Sequence, residues 1–217
     1  MSDAGDVLAA LFDVRGKVAL VTGGASGLGY AFASILADCG AVVIVADRDA
    51  ERLGKAVSSL AAGGGDRVRP AEIDVGDGPA VEAAVDGIVG DRGRIDIVFA
   101  NAGVARGTPP LVPSGSIDAF GWDDYNGLID VNLHGVVHTA RAAAKHMKRQ
   151  RSGSIVVTAS TAGLRNDPFV PYSYAIAKVG VVNPTVGPVV LPLGSPQSIL
   201  GSGISMIMVR SCPGCEG

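Results

Sequence analysis

A phenol and an ammonium four residues apart, Tyr174 and Lys178 in the run Tyr174-Ala-Ile-Ala-Lys178, are the pair in this chain best suited to moving a proton. On a helix that spacing puts both side chains on one face, with the cation close to the phenol. A phenol ordinarily titrates near ~10, and a neighbouring positive charge stabilises the phenolate, bringing it into range for proton transfer near neutral pH. The pair suits general acid/base work on an alcohol or carbonyl oxygen, with Tyr174 as the acid/base and Lys178 as its electrostatic partner. The same spacing is common on exposed helix surfaces, so the reading rests on what surrounds it. Tyr172 is the nearby competitor, but four residues on from it stands Ile176, which is no such partner.

The supporting stretch is residues 17–29, KVALVTGGASGLG. An apolar, β-branched run ends in a loop carrying Gly23, Gly27 and Gly29, and a helical pattern follows from Tyr30. Glycines let the backbone approach a ligand where a Cβ would collide with it. The helix behind them aims unpaired N–H groups and its positive dipole end at a pyrophosphate. The chain has 31 Gly in 217 residues, so glycine spacings alone arise easily by chance and context must decide. The context is a strand before the loop, a helix after it, and a second apolar strand over 41–46 ending in Asp47, 18 residues beyond Gly29. An acid in that position is placed to accept hydrogen bonds from the hydroxyls of an adenosine ribose. A dinucleotide is expected, held by Thr22, Gly23, Ser26, Gly27, Leu28 and Gly29 together with Asp47.

The elements that position these groups alternate strictly. Helices are expected over 50–61, 78–91 and 122–150, and strands over 67–73, 95–100 and 154–159. The strands read as continuous apolar runs, which suits a parallel sheet buried on both faces. The fold class is therefore α/β, a doubly wound (Rossmann-type) parallel sheet with helices on both faces. Ligands in such sheets lie beyond the carboxyl ends of the strands, and Asp47, Asp74, Asn101 and Ser160 all fall at those ends.

In order along the chain, these residues resemble the short-chain dehydrogenases/reductases, over about residues 17–183. The matching positions are Thr22-Gly23-x-x-x-Gly27-x-Gly29, Asp47, Asp74, Asn101-Ala102-Gly103, Asn132, Ser160 and Tyr174-x-x-x-Lys178. The resemblance implies an oxidoreductase that interconverts a secondary alcohol and a ketone by hydride transfer. Ser160 would hold the substrate oxygen beside Tyr174. Lys178 would also bind the nicotinamide ribose, and Asn132 would anchor a water relaying protons to Lys178. Asp74 and Val75 would lie near adenine, and Asn101, Ala102 and Gly103 beside the adenine-side ribose. Turn chemistry alone is the plainer role for Asp74 and for the Asn101–Gly103 run. A carboxylate at Asp47 repels the 2′-phosphate of NADP and favours NAD; Arg48 beside it keeps NADP open as the lesser alternative. In the resembling family the long helix commonly packs against a partner subunit, so a homo-oligomer, dimer or tetramer, is expected.

Composition excludes several classes. At 47% hydrophobic and 18% charged, the chain is globular and long enough for one sizeable core. Net charge is −3 and the one basic cluster, 145–151, ends a helical pattern where cations complement the dipole, so no nucleic-acid partner is expected. Asp3 and Asp6 interrupt any basic-then-apolar leader, which implies a cytoplasmic protein. Cys212 and Cys215 form C-x-x-C without a second ligand pair, and His134 and His138 lack a third ligand, so no metal is expected. Past Asn183 the resemblance breaks. Pro184, Pro188, Pro192 and Pro196 recur every fourth residue, each incompatible with a continuing helix, and no charged residue stands between Val179 and Val209. Its prolines and glycines also rule that stretch out as a membrane span. Residues 184–217 are read as an atypical apolar tail after a 1–183 nucleotide-binding domain, with the last strands and the substrate lid altered or missing. A frame shift or truncation would account for the break. The expected consequences are an uncovered sheet edge and, as the alternative function, a nucleotide-binding but catalytically silent fragment.

Overall fold

The computed structural model describes residues 13–165 and 167–182, together with the backbone of a strand over Met206–Arg210. The chain alternates as expected: β1 (Val18–Thr22), α1 (Gly27–Asp38), β2 (Val42–Asp47), α2 (Ala50–Gly64), β3 (Val68–Glu72), α3 (Gly78–Arg92) and β4 (Ile97–Ala100). There follow α4 (Trp122–Ile129), α5 (Gly135–Gln150), β5 (Ser154–Thr158), α6 (Tyr172–Val182) and β6 (Met206–Arg210). The sheet order is β3-β2-β1-β4-β5-β6, with β1 through β5 parallel. The order reverses between β1 and β4, the crevice where a doubly wound sheet opens for a ligand.

Period-two alternation divides the core. Val18, Leu20, Ile44 and Ala46 point to one face, against Val81 and Val85 of α3 and Val136, Ala142, Ala143 and Met147 of α5. Ala19, Val21, Val43 and Val45 point to the other, against Ala33 and Leu36 of α1 and Leu53, Ala56 and Leu60 of α2. Both faces are covered, as the unbroken apolar strands require. Asp49 and Asp77 cap α2 and α3 by accepting from the N–H groups of Arg52 at 2.9 Å and Ala80 at 3.0 Å.

The structure departs from the sequence reading in four places. The helix expected over 122–150 carries a π turn at Asp130–His134 between α4 and α5, an extra residue that rephases the side chains on either side of it. Strand β4 starts at Ile97 rather than Ile95, because the Ile95 N–H donates to Gln150 Oε1 and its C=O accepts from Gln150 Nε2, taking both groups out of the ladder. Lys145 of the basic cluster is paired across to α3, with Glu82 at 2.9 Å and Asp86 at 3.3 Å, rather than serving only the helix dipole. The β5 edge is covered: β6 pairs with it antiparallel, Met206 beside Thr158 and Arg210 beside Ser154. Unpaired edge N–H and C=O groups accept a strand of either direction, so the sheet closes without the parallel continuation. The repeating prolines and the C-x-x-C pair lie outside the described residues.

Candidate active site

Thr22, at the end of β1, starts a chain of hydrogen bonds that ties the strand ends together. Its Oγ1 accepts from the N–H groups of Asn101 (3.0 Å) and Ala102 (3.1 Å) and donates to the Phe99 carbonyl at 3.2 Å. Asn101 returns the contact by donating from Nδ2 to the Thr22 carbonyl at 3.1 Å. The Asn101 Oδ1 accepts from Thr158 Oγ1 at 2.9 Å, and the Thr158 carbonyl accepts from Lys178 Nζ at 2.7 Å. One relay of polar contacts thus runs from the glycine loop to the basic residue of α6. Thr158 is its central link, and sequence reasoning missed it because a threonine closing an apolar strand carries no signal of its own.

The glycines divide into two kinds. A Cβ on Gly23 would stand 2.8 Å from Ala102 Cα, and one on Gly29 would stand 2.1 Å from the Gly23 carbonyl oxygen and 2.7 Å from Asn101 Nδ2. Close packing of the protein on itself calls for glycine at both positions, and Gly23 also takes a φ of +63°. Gly27 also has a positive φ, +54°, but a Cβ there would meet nothing within 4 Å. Of the three, Gly27 is the one that faces open space. Ser26 has extended backbone before α1, its side chain makes no capping bond, and the first turn holds no acid. The positive end of α1 is left to whatever enters.

That space is a cavity of about 430 Å³, within the usual range for a small-molecule site. It crosses the ends of β2, β1, β4 and β5, three inter-strand spacings or about 14 Å. Asp47 and Arg48 line one end, Tyr174 and Lys178 the other, with Gly23, Ser26, Gly27 and Leu28 between. Asp74, Val75, Asn101, Ala102, Gly103 and Asn132 are also on the wall. Thr22 and Gly29 stand behind it, and Ser160 directly follows the wall residue Ala159. Asp49, Arg52 and Val104 line it without having been foreseen. The Asp47 carboxylate is pre-aimed by N–H donors from Ala25 at 3.3 Å and Asp49 at 3.2 Å. Such an elongated slot, with Asp47, Asp49 and Asp74 beside Arg48 and Arg52 at one end and an open helix N-terminus midway, could hold an adenine dinucleotide.

Lys178 is 4% exposed, and burial pushes its ammonium down to about 8. Its Nζ lies 5.7 Å from the centre of the Tyr174 ring, over the face rather than paired to an acid. Asn132 sits in the π turn, wholly buried, and grips the backbone of Val104 twice: Oδ1 accepts from its N–H at 2.7 Å and Nδ2 donates to its C=O at 2.8 Å. Ser160, 6% exposed, accepts from the Ala162 N–H at 3.2 Å. His134 pairs with Asp130 and His138 with the Val75 carbonyl, each at 3.0 Å, and no metal-binding cluster is present among the described residues. No helix among them is long and apolar enough to cross a membrane.

Sheet order, glycine loop and slot define a doubly wound α/β protein of the Rossmann type. A family model described as short chain dehydrogenase matches residues 17–186, and the chain belongs to that family of oxidoreductases. It is similar to a cyclohexanol dehydrogenase of Rhodococcus sp. (strain TK6), 38% identical over 188 residues, covering 79% of this chain and 67% of that protein. A D-threitol dehydrogenase of Mycolicibacterium smegmatis is 40% identical over 176 residues, covering 79% and 63%. Among solved structures, an NAD+-bound xylitol dehydrogenase superposes with a TM-score of 0.70 at 33% identity, covering 78% of this chain and 62% of the other. The chain spans about two thirds of the length of these relatives.

Proposed function

We propose that this protein is an NAD-dependent oxidoreductase interconverting a secondary alcohol and its ketone. The observation that carries the reading is the single slot holding Asp47 at one end and the Tyr174–Lys178 pair at the other. Relatives named for cyclohexanol, threitol and xylitol support an alcohol or polyol as the substrate class.

In this reading Asp47 and the open N-terminus of α1 hold the adenosine and pyrophosphate of the cofactor, and Asp47 selects NAD over NADP. The nicotinamide, when bound, supplies hydride chemistry at the far end of the slot. Tyr174 exchanges the proton of the substrate oxygen, and Ser160 holds that oxygen. Lys178, seated by the Thr158 carbonyl, favours the phenolate electrostatically and offers donors to the adjoining ribose. Asn132 fixes the backbone of Val104, a residue of the slot wall.

A second reading, cofactor binding without turnover, has one observation behind it. Because β6 is antiparallel, it presents its first residue, Met206, beside Thr158 at the ligand end, where a parallel strand would present its last. The edge beside the reacting groups is therefore built differently from the other strand ends. Fluorescence titration with NADH, with NADPH as control, followed by a panel of secondary alcohols with NAD, separates the two. Saturable binding that prefers NADH, with reduced cofactor accumulating on some alcohol, is the expected result. Binding without any turnover supports the silent reading, and absence of binding refutes both.

A further inference from the structure

His138 lies outside the reacting pair and the glycine loop, and its hydrogen bond spans 63 residues of sequence. Its Nδ1 is 3.0 Å from the carbonyl oxygen of Val75, a wall residue of the slot, so Nδ1 carries the proton and donates. The contact is built from both sides. A Cβ on Gly78 would stand 3.1 Å from the imidazole Nε2, and a Cβ on Gly135 would stand 2.5 Å from Val75 Cγ2 and 3.3 Å from its carbonyl oxygen. The first turn of α5 is thus seated directly on the turn that follows β3. That turn closes on itself as well: Asp74 Oδ1 accepts from the Gly76 N–H at 2.9 Å, and the Asp74 carbonyl from the Asp77 N–H at 3.1 Å. It leaves Asp74 and Val75 as a rigid ledge at the end of the cavity that holds Asp47.

We infer that His138 is a positioning residue for the adenine end of the slot, holding the Val75 backbone at the height the base requires. The inference rests on the proposed dinucleotide site. One helix then sets both walls. Asn132 in the π turn grips the Val104 backbone toward the reacting end, and His138, six residues on, grips the Val75 backbone toward the other. The π turn supplies the rephasing between those two grips.

The test uses the full chain and ADP, which probes the adenine end alone, beside NADH. His138→Ala removes the donor, and His138→Asn places an amide N–H at the position of Nδ1. His138→Ala is expected to raise the Kd for ADP and for NADH by the same factor, roughly fivefold for one lost hydrogen bond. His138→Asn is expected to restore most of the affinity. A residue that only stabilised the helix would lower Tm in His138→Ala and leave both affinities of the folded protein unchanged, and that result overturns the inference. Equal loss in the Ala and Asn variants overturns it too. Wild type that binds neither ADP nor NADH would instead refute the site reading beneath it.

Discussion

Replacing Lys178 with Met should make the ligand-free protein more stable while removing its activity. Lys178 is 4% exposed, and burial lowers its ammonium from the ordinary 10.5 to about 8. At about 1.4 kcal/mol per pH unit, keeping the ammonium charged in this site at pH 7 costs about 3 kcal/mol. Met fills a similar volume without charge and forgoes the charged donor to the Thr158 carbonyl, a loss of about 2 kcal/mol. The net gain is about 1 kcal/mol, or roughly 2–4 °C in Tm for a chain of this size. Its pH dependence is the decisive part. The protonated amine is the form the fold disfavours, so the unfolded chain binds the extra proton and wild-type stability rises with pH from about 8 towards 10.5. The advantage of Lys178→Met should therefore be full at pH 7 and vanish near pH ~10. Chemical denaturation of both proteins across that range measures it. A variant less stable than wild type at pH 7, or a gain that does not shrink with pH, would refute the reasoning.

Four further outcomes are expected. Tyr174→Phe should lower turnover on any active alcohol by about 10²–10⁴-fold, the ordinary worth of a general acid/base, and leave the NADH Kd within about twofold; steady-state kinetics beside titration checks both. Gly29→Ala should prevent folding or cost several kcal/mol despite the ~1 kcal/mol that Ala ordinarily gains in a helix, because its Cβ would stand 2.1 Å from the Gly23 carbonyl oxygen. Gly87→Ala in α3, where nothing lies within 4 Å, is the control and should raise stability by about 0.5–1 kcal/mol in the same denaturation assay. Asn132→Ala leaves the N–H and C=O of Val104 without their partners and should cost about 2–4 kcal/mol, visible as a lowered denaturation midpoint.

The sheet was legible because burial on both faces writes itself into composition. Runs such as Val18–Thr22 and Val42–Asp47 have few polar positions to spare, and a helix between parallel strands is the only short connection that keeps both faces covered. What remained hidden was decided by contacts between distant residues. Gln150 takes both polar groups of Ile95 and so shortens β4, a pairing no local pattern announces. The direction of β6 depends on where the chain re-enters the sheet, not on the apolar run itself, and a strand of either hand reads the same.

The site divides the same way, and the division shows what a motif encodes. That Asp47, Tyr174 and Lys178 share one cavity was readable, because each is a residue type suited to ligand chemistry standing at a strand end or on one helix face. The glycines were readable too, and two of them carry a second constraint that the spacing does not reveal: Gly23 and Gly29 pack against Ala102, Asn101 and the Gly23 carbonyl, so that part of the motif also records the packing of loop, strand end and helix. Asn132 carries a similar lesson, since its amide is spent on the Val104 backbone from within a π turn that no 3.6-residue pattern would place. Thr158 escaped altogether, and His138 was weighed only as half of a metal pair, because each acts through a backbone carbonyl or a neighbour's amide, and many residue types donate a hydrogen bond. The residues that hold the walls are therefore the ones a sequence conceals most easily. On the proposed reading, loss of Thr158 or His138 should appear as weakened cofactor affinity, with the acid/base chemistry proposed for Tyr174 intact on whatever cofactor still binds.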